Sequence, residues 1–150
     1  MPKTSTENYK DGSSYKGEYN DDGFKDGHGV LTLKSGDVYQ GQFVASDMTG
    51  YGVMISADGS KYTGEFKAGK FEGLGVFESK DGTKFTGQFE ESAPSFGLMT
   101  FKDGSHGKPK LSGKFVDGQF FEAGDTEELC EKAKEASEKG DDAAAKAAAL

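Results

Sequence analysis

Arginine and tryptophan are absent from this 150-residue chain, and cysteine occurs once. All eighteen basic side chains are lysines, set against 26 carboxylates for a net charge of −8. A surface that reads nucleic acid relies on arginine forks for bidentate contacts and on a positive field to hold the phosphates, so nucleic acid is excluded as a partner. The same balance disfavours anionic lipid as the main ligand. The lone Cys130 excludes an intramolecular disulfide and suits a reducing compartment. No apolar run approaches the ~20 residues of a membrane span, and residues 1–10 carry no apolar signal core, so the expectation is a cytoplasmic protein.

Apolar material is scarce as well. Hydrophobic residues make up 33% of the chain while glycine alone numbers 23, which is poor stock for a thick two-layer core. What there is concentrates in 12 Phe and 6 Tyr, and rings bury large areas each. An elongated, thin sheet held by aromatic ladders follows.

What is present is a period. The tetrads Tyr15-Lys16-Gly17-Glu18, Tyr39-Gln40-Gly41-Gln42, Tyr62-Thr63-Gly64-Glu65 and Phe85-Thr86-Gly87-Gln88 recur about every 23 residues, each followed by an aromatic: Tyr19, Phe43, Phe66 and Phe89. In the third unit, Tyr62 to Phe66 alternates, Gly69 marks a turn, and Gly73 to Phe77 alternates again, so each unit reads as a β-hairpin. The pairs Asp11-Gly12, Asp58-Gly59 and Asp81-Gly82, with Ser35-Gly36 standing in once, lie five residues before the tetrad glycine and supply turn geometry between units. The tetrad glycine between two aromatics leaves room for rings from neighbouring strands. Three departures stand out: an extra residue in the Asn20-Asp21-Asp22-Gly23 turn, Ser46 in place of a turn glycine, and a fourth unit one residue short, where Pro94 predicts a differently shaped, edge-like turn.

Three segments follow from this pattern. Residues 1–10 are expected to be a polar, loosely attached tail, residues 11–124 hold four full units and a partial fifth at Leu111 to Phe115, and residues 125–150 form a capping helix with an Ala-rich tail. Asp125 or Thr126 with Glu128 offers a capping box, Leu129, Ala133 and Ala136 an apolar stripe, and Gly140-Asp141-Asp142 an interruption of the helix. The fold class is mainly β: an elongated single-layer twisted antiparallel sheet of stacked hairpins with a C-terminal α-helix.

Catalysis and cofactors find little footing. The Gly-x-Gly pairs at 27–29, 50–52 and 73–75 precede strands, whereas a phosphate loop needs a helix N-terminus. His28 and His106 have no second ligand at metal spacing, and His106 reads as a residue fixing the 105–109 insertion. Asp21, Asp22 and Asp26 lack the alternation of a calcium loop. No cofactor, no metal and no enzyme activity are expected.

The pattern Tyr-x-Gly-x-aromatic-x-x-Gly-x-x-x-Gly-x-Gly resembles the MORN (membrane occupation and recognition nexus) repeat over roughly residues 11–120. The tract Gly97 to Pro109 and the segment Cys130 to Ser137 further resemble the small MORN-repeat adaptors of class III myosins. That resemblance implies an adaptor holding a myosin tail segment in a groove, one to one, at actin-rich projections such as filopodia, stereocilia or photoreceptor microvilli, with weak membrane association as a side property. The partner-binding residues expected on a concave aromatic face are Tyr15, Tyr19, Tyr39, Phe43, Met54, Tyr62, Phe66, Phe85, Phe89 and Met99. The alternatives are a phosphoinositide or membrane-surface module and a self-associating scaffold.

Overall fold

The structure, a computed structural model, describes residues 3–101, 110–117 and 119–150; the expectations placed on His106 and on the rest of the 105–109 insertion lie outside them. Eleven strands follow one another in chain order: β1 (Lys3–Asn8), β2 (Ser14–Tyr19), β3 (Lys25–Thr32), β4 (Val38–Val44), β5 (Asp47–Ile55), β6 (Lys61–Lys67), β7 (Lys70–Glu78), β8 (Lys84–Glu90), β9 (Ala93–Thr100), β10 (Lys110–Val116) and β11 (Gln119–Ala123). They form one open antiparallel sheet in which each strand pairs with its sequence neighbours. Among the described residues a single helix, α1 (Glu127–Ala148), follows the sheet. This is the single-layer stack of hairpins with a C-terminal helix that the period implied.

Period-two alternation assigns the two faces. One face carries the row Tyr15, Leu31, Tyr39, Met54, Tyr62, Phe77, Phe85, Met99 and Leu111, aligned across β2 to β10 by direct pairing. The other carries Val30, Val53, Thr63, Val76, Thr86 and Leu98 in the adjoining register. One position beyond the second row, and back on the face of the rings, the glycines pair strand to strand, as in Gly41↔Gly52↔Gly64↔Gly75↔Gly87↔Gly97. A Cβ at Gly52 would strike the Tyr39 ring at 2.7–2.8 Å, and one at Gly97 would meet Phe85 Cζ at 2.8 Å. Each ring therefore lies flat over the glycine of the next strand.

Two kinds of turn join the strands. At one end, Asp11, Asp58 and Asp81 accept backbone N–H bonds from Ser13, Ser60 and Thr83 at 2.8, 2.8 and 2.9 Å. Hydrogen bonds hold the three carboxyls below the usual carboxylate range, led by the Ser13 hydroxyl at Asp11, the Ser60 N–H at Asp58 and the Ser79 hydroxyl at Asp81, which falls to about 2. At the other end, Ala45-Ser46, Ala68-Gly69 and Glu91-Ser92 all take positive φ, the signature of tight two-residue hairpins.

Three expectations need correcting. The segment 1–10 is not a loose tail throughout: Lys3–Asn8 pairs with β2 along its length while its residues stay exposed, so main-chain hydrogen bonding is its principal tie to the sheet. Pro94 does not reshape a turn. The fourth hairpin turns at Glu91-Ser92 like its neighbours, Pro94 pairs with Phe89 inside β9, and the missing residue is taken from the bulge that follows. Finally, Gly140-Asp141-Asp142 does not interrupt α1, which runs unbroken from Glu127 to Ala148. Gly140 is a point of closest approach: a Cβ there would lie 2.7 Å from Gly52 O and 2.9 Å from Gly64 N.

The helix lies across the face of Val53, Thr63 and Thr86. Its buried residues, Cys130, Ala133, Ala136, Gly140, Ala143, Ala144 and Ala147, are all small. That stripe lets the helix axis come close to the sheet, and the Cys130 thiol donates to Thr86 O at 3.4 Å. At the helix start Asp125 Oδ1 accepts the Glu127 N–H at 3.1 Å, while the N-cap Thr126 hydroxyl is turned to Ser112 at 2.8 Å.

Candidate partner-binding surfaces

The residues expected to bind a partner are brought together on one face, and most of them are sealed there. Tyr15, Tyr39 and Tyr62 have 0% exposure, Phe43, Phe66, Phe85 and Phe89 no more than 3%, and Met54 9%. Only Tyr19 and Met99 are half-buried at the border of the cluster. The rings form an edge-to-face zigzag, Tyr19–Tyr15–Phe43–Tyr39–Phe66–Tyr62–Phe89–Phe85–Phe115–Phe120, with centroids 4.8–5.5 Å apart. Each pair contributes about 0.5–1.5 kcal/mol beyond area burial. Because every ring packs on the next, and Tyr15, Tyr39, Tyr62 and Phe85 also cover Gly29, Gly52, Gly75 and Gly97, the sheet makes its own core without a second layer.

The tyrosine hydroxyls complete this core. Tyr15, Tyr39 and Tyr62 donate to the carbonyls of Glu18, Gln42 and Glu65 at 2.9, 2.8 and 2.9 Å. Burial drives all three phenols above their ordinary range, so they remain donors at any physiological pH. Phe85 occupies the fourth place and gives up that bond.

The fourth residue of the tetrad has a job that the sequence reading missed. Glu18, Gln42 and Glu65 accept the backbone N–H of His28, Tyr51 and Leu74 at 2.8, 2.8 and 2.6 Å. Each reaches across a bulge whose glycine, Gly27, Gly50 or Gly73, has φ near +100° and no room for a Cβ against that same side chain. The clue was the restriction of this position to Glu or Gln. In the fourth unit Ser95 replaces the bulge glycine and its hydroxyl donates to Gln88 O at 3.1 Å instead.

Concave space lies elsewhere. A cleft of about 790 Å³ runs along β5 to β8, and a second of about 690 Å³ adjoins it along β8 to β10, the two sharing Gln88, Glu90 and Glu91. Tyr51, paired with Glu65, and Gln88, paired with Leu74, have the strand parity of Val53, Thr63 and Thr86. The trough is therefore on the helix-bearing face, between α1 and the tight-turn edge, and Lys139 of α1 stands 5.4 Å from the Tyr51 ring at its border. Its walls hold Glu65, Glu72, Glu90, Glu91 and Asp117 against Lys67 and Lys114. Tyr51 and Val116 supply apolar surface at its two ends; Phe66, Phe89 and Pro94, which also border it, belong by strand parity to the opposite, aromatic face.

Among the described residues no group of three or more His, Cys, Asp or Glu is placed to hold a metal ion. His28 sits 3.5 Å from Glu18 within a bulge clamp.

The MORN repeat family model matches residues 15–38, 39–61 and 62–84, so the chain carries three MORN repeats in its central strands. The matched segments stop before the fourth unit, the one with Phe85, Ser95 and the shortened bulge. No curated protein matches the chain. MORN repeats are typically modules that bind proteins or membranes, not catalytic units.

Proposed function

We propose that this chain is a non-enzymatic adaptor that seats a segment of another protein in the trough beside α1, and that the segment is the tail of a class III myosin, in the manner of the retinophilin-type MORN adaptors. The observation that carries the binding role is the trough itself: two adjoining clefts on a sheet whose aromatic face is already closed upon itself. The myosin identity rests on the resemblance of Gly97 to Pro109 and of Cys130 to Ser137 to those adaptors. It carries with it a cytoplasmic place at actin-rich projections. Charge favours a protein over a membrane, because an acidic array without arginine is repelled by an anionic surface.

Calorimetric titration against class III myosin tail fragments, with phosphoinositide vesicles as the comparison, tests this reading. Saturable one-to-one binding to a short tail segment is the expected result. Vesicle association without tail binding would transfer the function to a membrane-surface module.

A further inference from the structure

We infer that the trough beside α1 takes a basic, extended segment of about seven residues, lying across strands β5 to β10 with its lysine or arginine side chains on the wall carboxylates. This rests on the adaptor reading for its site and deepens it by stating what chemistry the partner brings.

Charge is the first reason. Five carboxylates stand against two lysines in the lining and Lys139 at the border, and among the described residues none of those five makes an ion pair: the pairs present are His28 with Glu18 and Lys132 with Glu128, both elsewhere. Two of the five have structural duties, Glu65 clamping Leu74 N–H and Glu72 accepting Glu91 N–H at 2.6 Å. Glu90, Glu91 and Asp117 have no such duty, and they crowd the stretch where the two clefts join. Clefts lined by one sign of charge focus the field, so the potential here exceeds what the same carboxylates give on open surface.

Shape is the second reason. Five strand-to-strand steps of ~4.8 Å give a path of about 24 Å, which a chain rising ~3.3 Å per residue covers in about seven residues. Apolar surface on this face is confined to the two ends, Tyr51 beside α1 and Val116 with 42% of its surface exposed. An occupant with apolar residues toward Tyr51 and Val116 and cations toward Glu90 and Glu91 between them meets both demands. A purely apolar segment meets only one, and an acidic one is repelled.

The test uses the full-length protein and a labelled synthetic peptide of alternating lysine and leucine, with a glutamate-for-lysine version as its opposite. The lysine peptide is expected to saturate, to weaken at least about tenfold between low and high ionic strength, and to lose about tenfold or more in Glu90→Lys/Glu91→Lys. Far-UV circular dichroism and the melting point of that variant establish that it is folded. Equal binding of both peptides, salt-independent binding, or undiminished binding by the folded variant overturns the inference. The two readings fail separately. A myosin tail that binds the variant as well as the parent removes this inference and leaves the adaptor, whereas a lysine peptide that binds while every tail fragment fails keeps the chemistry and removes the named partner.

Discussion

At Gly140 a single missing carbon decides how closely α1 lies on the sheet. A Cβ there would meet the backbone at Gly52 O and Gly64 N and the Thr63 methyl at 3.0 Å, and backbone cannot step aside as a flexible side chain can. Gly140→Leu is expected to lift the helix at a cost of about 1–3 kcal/mol, the range for overpacking a fitted contact. Thiol labelling reads this directly. Cys130 is 6% exposed beneath the helix and should change from inert to reactive in the variant, while unchanged labelling would mean that the helix tolerates the larger residue in place. The same residue shows where sequence reading ran out. Glycine followed by two aspartates looks like a helix stop when judged by local propensity alone. Yet position 140 is seven residues from both Ala133 and Ala147, on one stripe of small residues, and tertiary packing overrode the local preference. Leu129, taken as part of that stripe, is only half-buried, and Cys130 takes the buried place.

Among the elements, the hairpins were legible and the bulges were not. Alternation and the Asp-Gly pairs were enough to place the strands of the repeats, though not β1 or β11 at the two edges, because period two and turn glycines can be read from the local sequence. The bulges depend on a side chain from one strand, such as Glu65, satisfying an N–H on the next, and no local pattern announces a pairing nine residues away. The tight turns fall between these cases. Gly69 was read as a turn, but Ala45-Ser46 and Glu91-Ser92 adopt the same left-handed backbone without a glycine, held by the preceding hairpin: Ser46, Gly69 and Ser92 donate to the carbonyls of Lys25, Met48 and Phe71 at 2.8, 3.0 and 2.9 Å. Ala68, at φ 48°, uses only its N–H, given to Thr49 Oγ1 at 3.1 Å. Ala68→Gly keeps that bond and removes the Cβ clash of a left-handed residue, worth roughly 1–2 kcal/mol before the added chain entropy of glycine is subtracted. The expected outcome is a gain of up to about 1 kcal/mol in chemical denaturation. A loss would show that the turn is held so firmly by its neighbour that strain is not released.

The molecule as a whole is a one-dimensional chain of contacts, and its cooperativity runs through the aromatic zigzag. The sequence made clear which residues share the aromatic face; it did not disclose that the rings would exclude solvent unaided, since that depends on Tyr15, Tyr39, Tyr62 and Phe85 lying over glycines of the neighbouring strands. Nor could it say which face α1 would choose. The helix takes the Val and Thr row, where small residues allow close approach, and so the sheet has a self-packed face and a helix-covered one. In such an array stability is a sum of units and of the couplings between them. Phe66 is the coupling at the centre, touching Tyr39 at 4.8 Å and Tyr62 at 5.1 Å, whereas Phe115 couples only the last hairpin, through Phe85 and Phe120. Phe66→Ala and Phe115→Ala each delete one buried ring at a comparable local cost of about 3–5 kcal/mol. Their global effects should differ. Hydrogen exchange in Phe66→Ala is expected to rise on both sides of β6, with unfolding split into two stages, because strands β1 to β5 lose their aromatic link to β7 to β10 and keep only the backbone ladder and α1. In Phe115→Ala the rise should stay within β9 to β11 and leave a single main transition. Identical exchange maps for the two variants would mean that α1, which spans β3 to β9, and not the aromatic zigzag, carries the coupling along the sheet.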